Sequence, residues 1–410
     1  MASDPDGTSL LTSVEVADLL AAAVAHTGGT LVSWRLDHVD ANPQHSTTAT
    51  YLATADWPTG RREVQLGASA RVEGRSGTDE RAVIFGDGDR EVAVWLYPND
   101  PDLPALGRAV DPVQLAALLT EQRVFPGPIA PRQLLLETIT YRPRRRAVVL
   151  ARVRIPSGTV NLYVKVLRPD SIEPILNRHQ LLAAAGIPAP RVVATGPDGL
   201  LVLAELPGRP LARALFEDAL PCTAENMIML LDAMPAAVAA LPGRPPWTHA
   251  VDHYADLVAH AMPELGPQLE WLVGQIVQGL HAVPPATMLE PTHGDFHEGQ
   301  LFVAGGAISG VLDIDTVGPG RRVDDLACLL GHLSSIQRMN ADQAARVSRL
   351  VGGWLPVFDR RVDPAELRLR AAAVIISLAT GPYRGQEPDW QRETLTMINT
   401  ATELLRSLRR

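Results

Sequence analysis

At 410 residues, with 46% hydrophobic and 20% charged side chains, the chain has room for two or three domains and the composition of an ordinary globular protein. Its formal net charge of −9 argues against nucleic acid or an anionic membrane as the main partner, and no apolar run approaches the roughly 18 residues that a membrane span requires. Two distant cysteines, Cys222 and Cys328, and an N-terminus without a basic region ahead of an apolar core lead to the expectation of a protein of the reducing cytoplasm.

Ser13 is a candidate N-cap for a first helix that Gly28-Gly29 ends. Alternating runs around 31–39, 47–53, 62–72 and 91–97, separated by Pro and Gly turns, read as a small β-rich module. The prolines at 98, 101 and 104 make the next stretch a loop. A helical segment, 112–122, then leads through Pro126-Gly127-Pro128 into a second β-region. The two β-regions echo one another. Leu36-x-x-Val39-x-x-x-Pro43 and Leu136-x-x-Ile139-x-x-x-Pro143 share their spacing, and the turns Pro58-Thr59-Gly60 and Pro156-Ser157-Gly158 correspond. Near the place of Lys165 in the second region, the first has Gly67. Either the first region is a degenerate, non-catalytic copy, or short β-patterns coincide.

Lys165 is the only lysine beside 36 arginines. In a chain that uses Arg wherever a generic positive charge serves, this survivor in the alternating strand 161–167 marks a place that needs a compact ammonium. A chance survivor on a surface strand is the plain alternative. Ahead of it lies a basic turn, Tyr141-Arg142-Pro143-Arg144-Arg145-Arg146. After it, 171–185 reads as an amphipathic helix with Ile175, Leu176, His179, Leu182 and Ala183 on one stripe, and an apolar strand runs from 200 into Ala204-Glu205-Leu206. From Thr223 onward the pattern is helical. Residues 269–281 carry a stripe of Leu269, Leu272, Val273, Ile276 and Leu280, and Asn340…Gln343 and Asp363…Glu366 look like capping boxes.

The chemistry-bearing stretch lies among these helices. His293-Gly294-Asp295-Phe296-His297-Glu298-Gly299-Gln300 is followed by two apolar strands, turned by Gly305-Gly306, that end at Asp313-Ile314-Asp315. Polar side chains therefore gather at both ends of a short hairpin. An isolated His-Gly-Asp is a common turn, but here it comes with the hairpin, a second Asp and the distal Asp324-Asp325. Phosphoryl transfer from a nucleotide needs a carboxylate to take the proton of the attacking hydroxyl and two further oxygen ligands for Mg²⁺.

This stretch resembles the signature of the aminoglycoside phosphotransferase family, small-molecule kinases with a protein-kinase-like fold. The resemblance makes Asp295 the catalytic base and Gln300 and Asp313 the metal ligands, with Gln300 standing where most members carry Asn. It places Lys165 and Arg144 at the nucleotide phosphates, Arg144 being otherwise a solvated turn residue, and the backbone of Ala204, Glu205 and Leu206 at the adenine. Glu173 is the only Glu between Lys165 and Glu205 that could pair with the lysine. His293 and Asp325 would brace the loop; His297 would contact phosphate or substrate, or brace the loop too. Asp315 would approach the metal or the substrate. Tyr383 and Trp390 would stack on a sugar, or simply pack.

The implied fold is α+β, a bilobal protein-kinase-like fold with an N-terminal α/β cap: residues 1–130 as cap, 131–210 as N-lobe and hinge, 211–410 as helical C-lobe. The implied cofactors are ATP and Mg²⁺. The glutamine and the extra module resemble the maltokinase and actinobacterial glucosamine kinase branch, so the expected acceptor is a hydroxyl of a sugar or amino sugar. An aminoglycoside-modifying phosphotransferase and a non-catalytic nucleotide- or partner-binding module are the alternatives.

Overall fold

The computed structural model describes residues 6–42, 46–71, 81–86, 91–284, 288–336 and 339–408; Pro43 and Val72, used in the sequence reading, lie outside the described residues. The chain forms two compact units. Residues 1–173, 192–205 and 384–386 make the first, and 174–191, 206–383 and 387–410 the second. The first is rich in strands and the second in helices.

In the first unit a short helix, Thr8–Thr12, is followed by a turn, Val14–Val16, capped by Ser13, whose Oγ accepts the Glu15 N–H at 3.3 Å. It leads into α1 (Ala17–His26), and Gly28, at φ 77°, follows the helix in the left-handed region. Five strands follow, β1 (Thr30–Asn42), β2 (Ser46–Trp57), β3 (Gly60–Arg71), β4 (Val83–Gly86) and β5 (Glu91–Leu96), in the sheet order β1-β2-β3-β5-β4. Next comes α2 (Pro112–Glu121). Proline opens it and the Asp111 carboxylate accepts the Val113 N–H at 2.7 Å. A second set, β6 (Leu134–Arg142), β7 (Arg146–Ile155), β8 (Gly158–Leu167), β9 (Val192–Gly196) and β10 (Leu200–Ala204), forms the sheet β6-β7-β8-β10-β9. A helix and an all-antiparallel sheet of one strand order thus occur twice.

The register aligns the two sheets residue by residue. Trp57 pairs with Gly60 across one hairpin turn and Ile155 with Gly158 across the other. Seven residues on stand Gly67 and Lys165, and their partners on the next strand are Trp95 and Leu201. In the first sheet the Trp95 indole lies where a Cβ on residue 67 would be, with Nε1 only 2.6 Å from that position. Trp95 is 1% exposed. In the second sheet Val164 and Val166 point into the core and Lys165, between them, to the other face.

In the second unit the expected stripe of α3 (Ile172–Ala184) is buried at Ile175, His179 and Leu182, while Ala183 is exposed. The stripe of α4 (Gly266–His281) is inward at all five expected positions, with Leu269, Leu272 and Ile276 fully buried. A hairpin of β11 (Leu301–Ala304) and β12 (Ala307–Val311) precedes α5 (Arg322–Ser334). α6 (Pro364–Leu378) is the buried spine, packed against α4, α5 and α7 (Trp390–Ser407) and apolar on nearly every side from Ala371 to Ile376. The Asn340–Gln343 capping box is complete, with bonds of 2.9 and 3.0 Å. Asp363 caps α6, but Glu366 does not return the bond; its buried carboxylate accepts from Arg321 at 2.8 Å and Arg370 at 2.7 Å instead. No described helix is long and apolar enough to cross a membrane.

Filling the space at residue 67 should therefore cost stability. Gly67→Ala is expected to lower the unfolding free energy by about 1–3 kcal/mol through overpacking against Trp95, read by urea denaturation. A change within the error of the fit would mean the indole moves aside freely.

Candidate active site

The loop 293–300 takes its shape from one buried acid. Asp325, on the first turn of α5 and 1% exposed, accepts the His293 N–H at 3.0 Å, the Gly294 N–H at 2.9 Å and a bond from Arg322 Nη1 at 3.3 Å. Burial pushes its pKa up, and these partners and the His293 ring oppose that rise. Gly294 sits at φ 81°, and a Cβ there would lie 2.7 Å from the Thr316 carbonyl oxygen, so both conformation and space call for glycine. His293 is fully buried. Its Nδ1 accepts the Asp295 N–H at 3.3 Å, which leaves Nε2–H to donate to the Leu312 carbonyl at 2.9 Å. His293 is a brace, as expected.

Phe296, 0% exposed, anchors the loop in the core, so Asp295 is held between two fixed neighbours and remains partly exposed. Its Oδ2 lies 4.0 Å from His297 Nε2, and the Cys328 thiol donates weakly to Oδ1 at 3.9 Å. Gln300 and Asp313 are brought together by the hairpin. Leu312 N–H donates to the Gln300 carbonyl at 2.7 Å, and Leu301 pairs with Val311. Asp313 adopts φ 48°, a left-handed conformation that costs a non-glycine residue energy. Asp315 lies near Arg178, which donates to the Val317 carbonyl at 2.8 Å and to the Pro242 carbonyl at 3.1 Å and so fixes the segment beyond Asp313.

His297 and Gln300 form a pair. Gly299 N–H meets His297 Nδ1 at 3.1 Å, and His297 Nε2 lies 3.1 Å from the Gln300 side-chain nitrogen. Burial holds the His297 pKa below its ordinary value, so the ring is neutral at neutral pH. Its lone proton then decides the amide. Because Nδ1 accepts the Gly299 N–H, the proton sits on Nε2, and the Gln300 amide turns its oxygen to the ring; that oxygen keeps its second lone pair for another partner. Gln300 and Asp313 are oxygen donors on adjacent strand ends, a set that fits a hard divalent cation.

Three neighbours escaped the sequence reading: Glu298, Cys328 and His332. His332 stacks on His297 with centroids 4.0 Å apart at 8°, and burial, followed by His297, pushes its pKa down to about 3. Burial raises Glu298 to about 7; its Oε2 makes no hydrogen bond and lies 3.8 and 3.9 Å from the two imidazole Nδ1 atoms. Donor atoms of Asp295, His297 and His332 lie within 4.8 Å of one another. The stacking speaks against a shared ion, because imidazole lone pairs lie in the ring planes and parallel rings cannot aim at one point. The spacing Asp325, Cys328, His332 (i, i+3, i+7) was the signal that one helix face backs the loop.

In the first unit, Lys165 is 7% exposed on β8, paired with Val148 and Leu201. Arg144 is neither solvated nor held out for a ligand. At φ 58° and 6% exposed, it donates from Nη1 to Asp102 at 3.0 Å and from its N–H to Asp100 at 2.8 Å, with the guanidinium 5.2 Å from the Trp95 ring centre. Ala204 closes the β10–β8 ladder opposite Leu162, and the Glu205 carboxylate accepts from Asn161 at 3.0 Å. Leu206 begins the next stretch of the second unit and is buried. Glu173 is exposed at the start of α3. Tyr383 and Trp390 pack edge to face, centroids 5.0 Å apart.

The chain is similar to known proteins in this same region. The sequence model of the phosphotransferase enzyme family matches residues 150–361. Among solved structures, choline kinase from Cryptosporidium parvum Iowa II is 13% identical with a TM-score of 0.50, the match covering 72% of this chain and 95% of that one. A thermostable mutant of the aminoglycoside phosphotransferase APH(4)-Ia is 15% identical, TM-score 0.47, over 71% of this chain and 98% of its own. An amicoumacin kinase, solved with AMP-PNP, Ca²⁺ and its antibiotic, is 15% identical, TM-score 0.47, over 68% of this chain and 90% of its own. No curated protein matches the chain. The family match spans more than half of the chain, from β7 through the loop braced by Asp325, and the chain therefore belongs to the phosphotransferase enzyme family, a phosphotransferase with the α+β, protein-kinase-like fold.

Proposed function

We propose that the chain is an ATP-dependent small-molecule kinase whose acceptor is a hydroxyl of a sugar or amino sugar. The observation that carries this reading is the braced loop: Asp325 fixes the backbone at 293–294, Asp295 follows it, and one hairpin sets Gln300 beside Asp313. In the proposed reaction the acceptor oxygen bonds to the γ-phosphorus, the bond from that phosphorus to the β–γ bridging oxygen breaks, ADP leaves, and the hydroxyl proton passes to the Asp295 carboxylate. Mg²⁺ held by Asp313 and the Gln300 amide oxygen would neutralise charge on the phosphates. Lys165 is the proposed contact for the α- and β-phosphates, and the backbone at Ala204, Glu205 and Leu206 for adenine. Arg144 is left out of the set. Gln300 in place of Asn and the extra N-terminal sheet support the sugar or amino-sugar acceptor. An aminoglycoside acceptor is the competing outcome, decided by ADP release over a panel of sugars, amino sugars and aminoglycosides with Mg²⁺.

Asp295→Asn should fold normally, since no hydrogen bond of the loop's brace runs through its carboxylate, and should turn over about 10²–10⁴-fold more slowly with the accepted substrate. Near-wild-type turnover would remove Asp295 from the role of base. Lys165→Arg should raise the ATP KM and lower kcat, because a planar fork does not reproduce a point ammonium between two phosphates; unchanged constants would make the lone lysine incidental. For the metal, Gln300→Ala should raise the Mg²⁺ requirement and be partly rescued by excess Mg²⁺ or Mn²⁺, with Gln300→Asn intermediate and Asp313→Ala worse than either. Titration of rate against Mg²⁺ reads all three, and a wild-type metal dependence in Gln300→Ala would make the amide structural.

A further inference from the structure

The linker between the two sheets contains an acid that the proposed chemistry does not use. Asp100 is 0% exposed and accepts from three donors. Its Oδ2 accepts the Arg144 N–H at 2.8 Å and the Tyr141 hydroxyl at 2.7 Å, and its Oδ1 accepts the Asp102 N–H at 2.9 Å. Tyr141 is in turn held by Trp95, whose Nε1 donates to the phenol oxygen at 2.7 Å. Two of the three donors come from one short segment, Tyr141 at the end of β6 and Arg144 in the β6–β7 turn.

That turn has a defined place in the sheet. Arg142 pairs with Arg146 across it, Arg146 with Leu167, and Val148 with Lys165. It therefore closes the end of the sheet toward which β8 runs after Lys165. Arg144 stands in it at φ 58°, a conformation costly for a non-glycine residue unless the surroundings enforce it. The surroundings come from the linker and the first sheet: Asp100 on the amide, Asp102 on the guanidinium, Trp95 beneath it, and Asp40 of β1 on the neighbouring Arg145 at 2.8 Å. A turn without glycine is thus locked from outside.

We propose that Asp100 is a positioning residue for nucleotide: the linker carboxylate sets the backbone of the 142–146 turn before nucleotide binds, so that binding does not have to order it. The inference rests on the kinase reading above, in which Lys165 serves the nucleotide phosphates, and on the place of the turn at the end of the sheet that β8 reaches just beyond that lysine. A loop already fixed loses less conformational freedom on binding, and the gain appears in affinity. Asp100 is buried and shared among three donors, which suits a permanent brace and not a phosphate mimic that nucleotide displaces.

Two measurements on the full chain test this. Amide hydrogen exchange across 141–146 without ligand should be slow in the wild type and faster in Asp100→Asn, with Tyr141→Phe, which removes one donor and keeps the ring, in between. Calorimetric titration with AMP-PNP and Mg²⁺ should show about tenfold weaker binding to Asp100→Asn and a smaller loss for Tyr141→Phe. The ATP KM should move by more than kcat. Asp363→Ala, which removes the α6 cap in the second unit, serves as a destabilised control and should keep wild-type nucleotide affinity. Should Asp100→Asn fail to fold, Tyr141→Phe carries both measurements alone. Faster exchange with unchanged affinity overturns the inference and leaves the kinase reading standing, and tighter binding in Asp100→Asn overturns it in favour of a displaced mimic. If the wild type binds no nucleotide, the kinase reading falls and this inference with it.

Discussion

Asp325 is the constraint on which the candidate site depends, because it satisfies in one place what the loop would otherwise leave open. Two successive backbone N–H groups, at His293 and Gly294, enter a region where water does not follow, and each would be costly if orphaned. A buried carboxylate meets both at once, but only if its own charge is met. Arg322, 3% exposed, supplies that charge, and its remaining donors are placed on the Leu231 carbonyl and near Asp232. Removing Asp325 would leave two amides without an acceptor and take from the buried Arg322 guanidinium the partner of its Nη1. The position of Asp295 is thus set by a helix that begins 27 residues later in sequence, at Arg322.

The two sheets show how one architecture is made to differ at a single register. Where the second sheet carries Lys165 opposite Leu201, the first has Gly67 opposite Trp95. An indole needs room that a strand provides only if the residue across from it has no side chain, so the pair Gly67–Trp95 is one packing solution and not two independent choices. The ring also serves the second sheet, by donating to Tyr141 and by lying against Arg144. A module without a lysine at this register can still act on the one that has it, through contact.

How much of this could be read from the sequence follows from how locally each feature is encoded. Helix ends were legible: Ser13, Asn340 and Asp363 all cap where they were expected, because the acceptor and its donor lie two or three residues apart. The hairpin turns at Gly60 and Gly158 and the Asp295–Gln300–Asp313 spacing were legible for the same reason; of the internal echo the turns correspond, but the register sets Leu36 against Thr138 and not Leu136, because strand patterns of period two match at a shift of two residues as well. β4 was missed because four residues are too few to show a period. Arg144 was assigned to phosphate or solvent because its partners, Asp100 and Asp102, lie 44 and 42 residues away, and no local pattern announces them. Glu366 kept the form of a capping box while its carboxylate answered two arginines from the tertiary structure. His332 and Cys328 lay open to a helical reading from Asp325, which the loop motif eclipsed.

The glutamine at 300 gains a physical sense from its neighbour. His297 is buried enough to stay neutral, so it offers one nitrogen as acceptor and one as donor, and its stacking on His332 keeps the ring from turning. Gln300 follows it by three residues, within reach of Nε2 at 3.1 Å. Nδ1 is occupied by the Gly299 N–H, so the one proton of the ring sits on Nε2 and the amide meets it with its oxygen. A carbonyl oxygen has two lone pairs, so a bond from the ring to one of them fixes the direction of the other. Under the proposed reading, His297 then orients the oxygen of Gln300 that a cation meets. A departure from the usual asparagine is workable here because a neutral, immobilised histidine stands where the longer amide can bond to it.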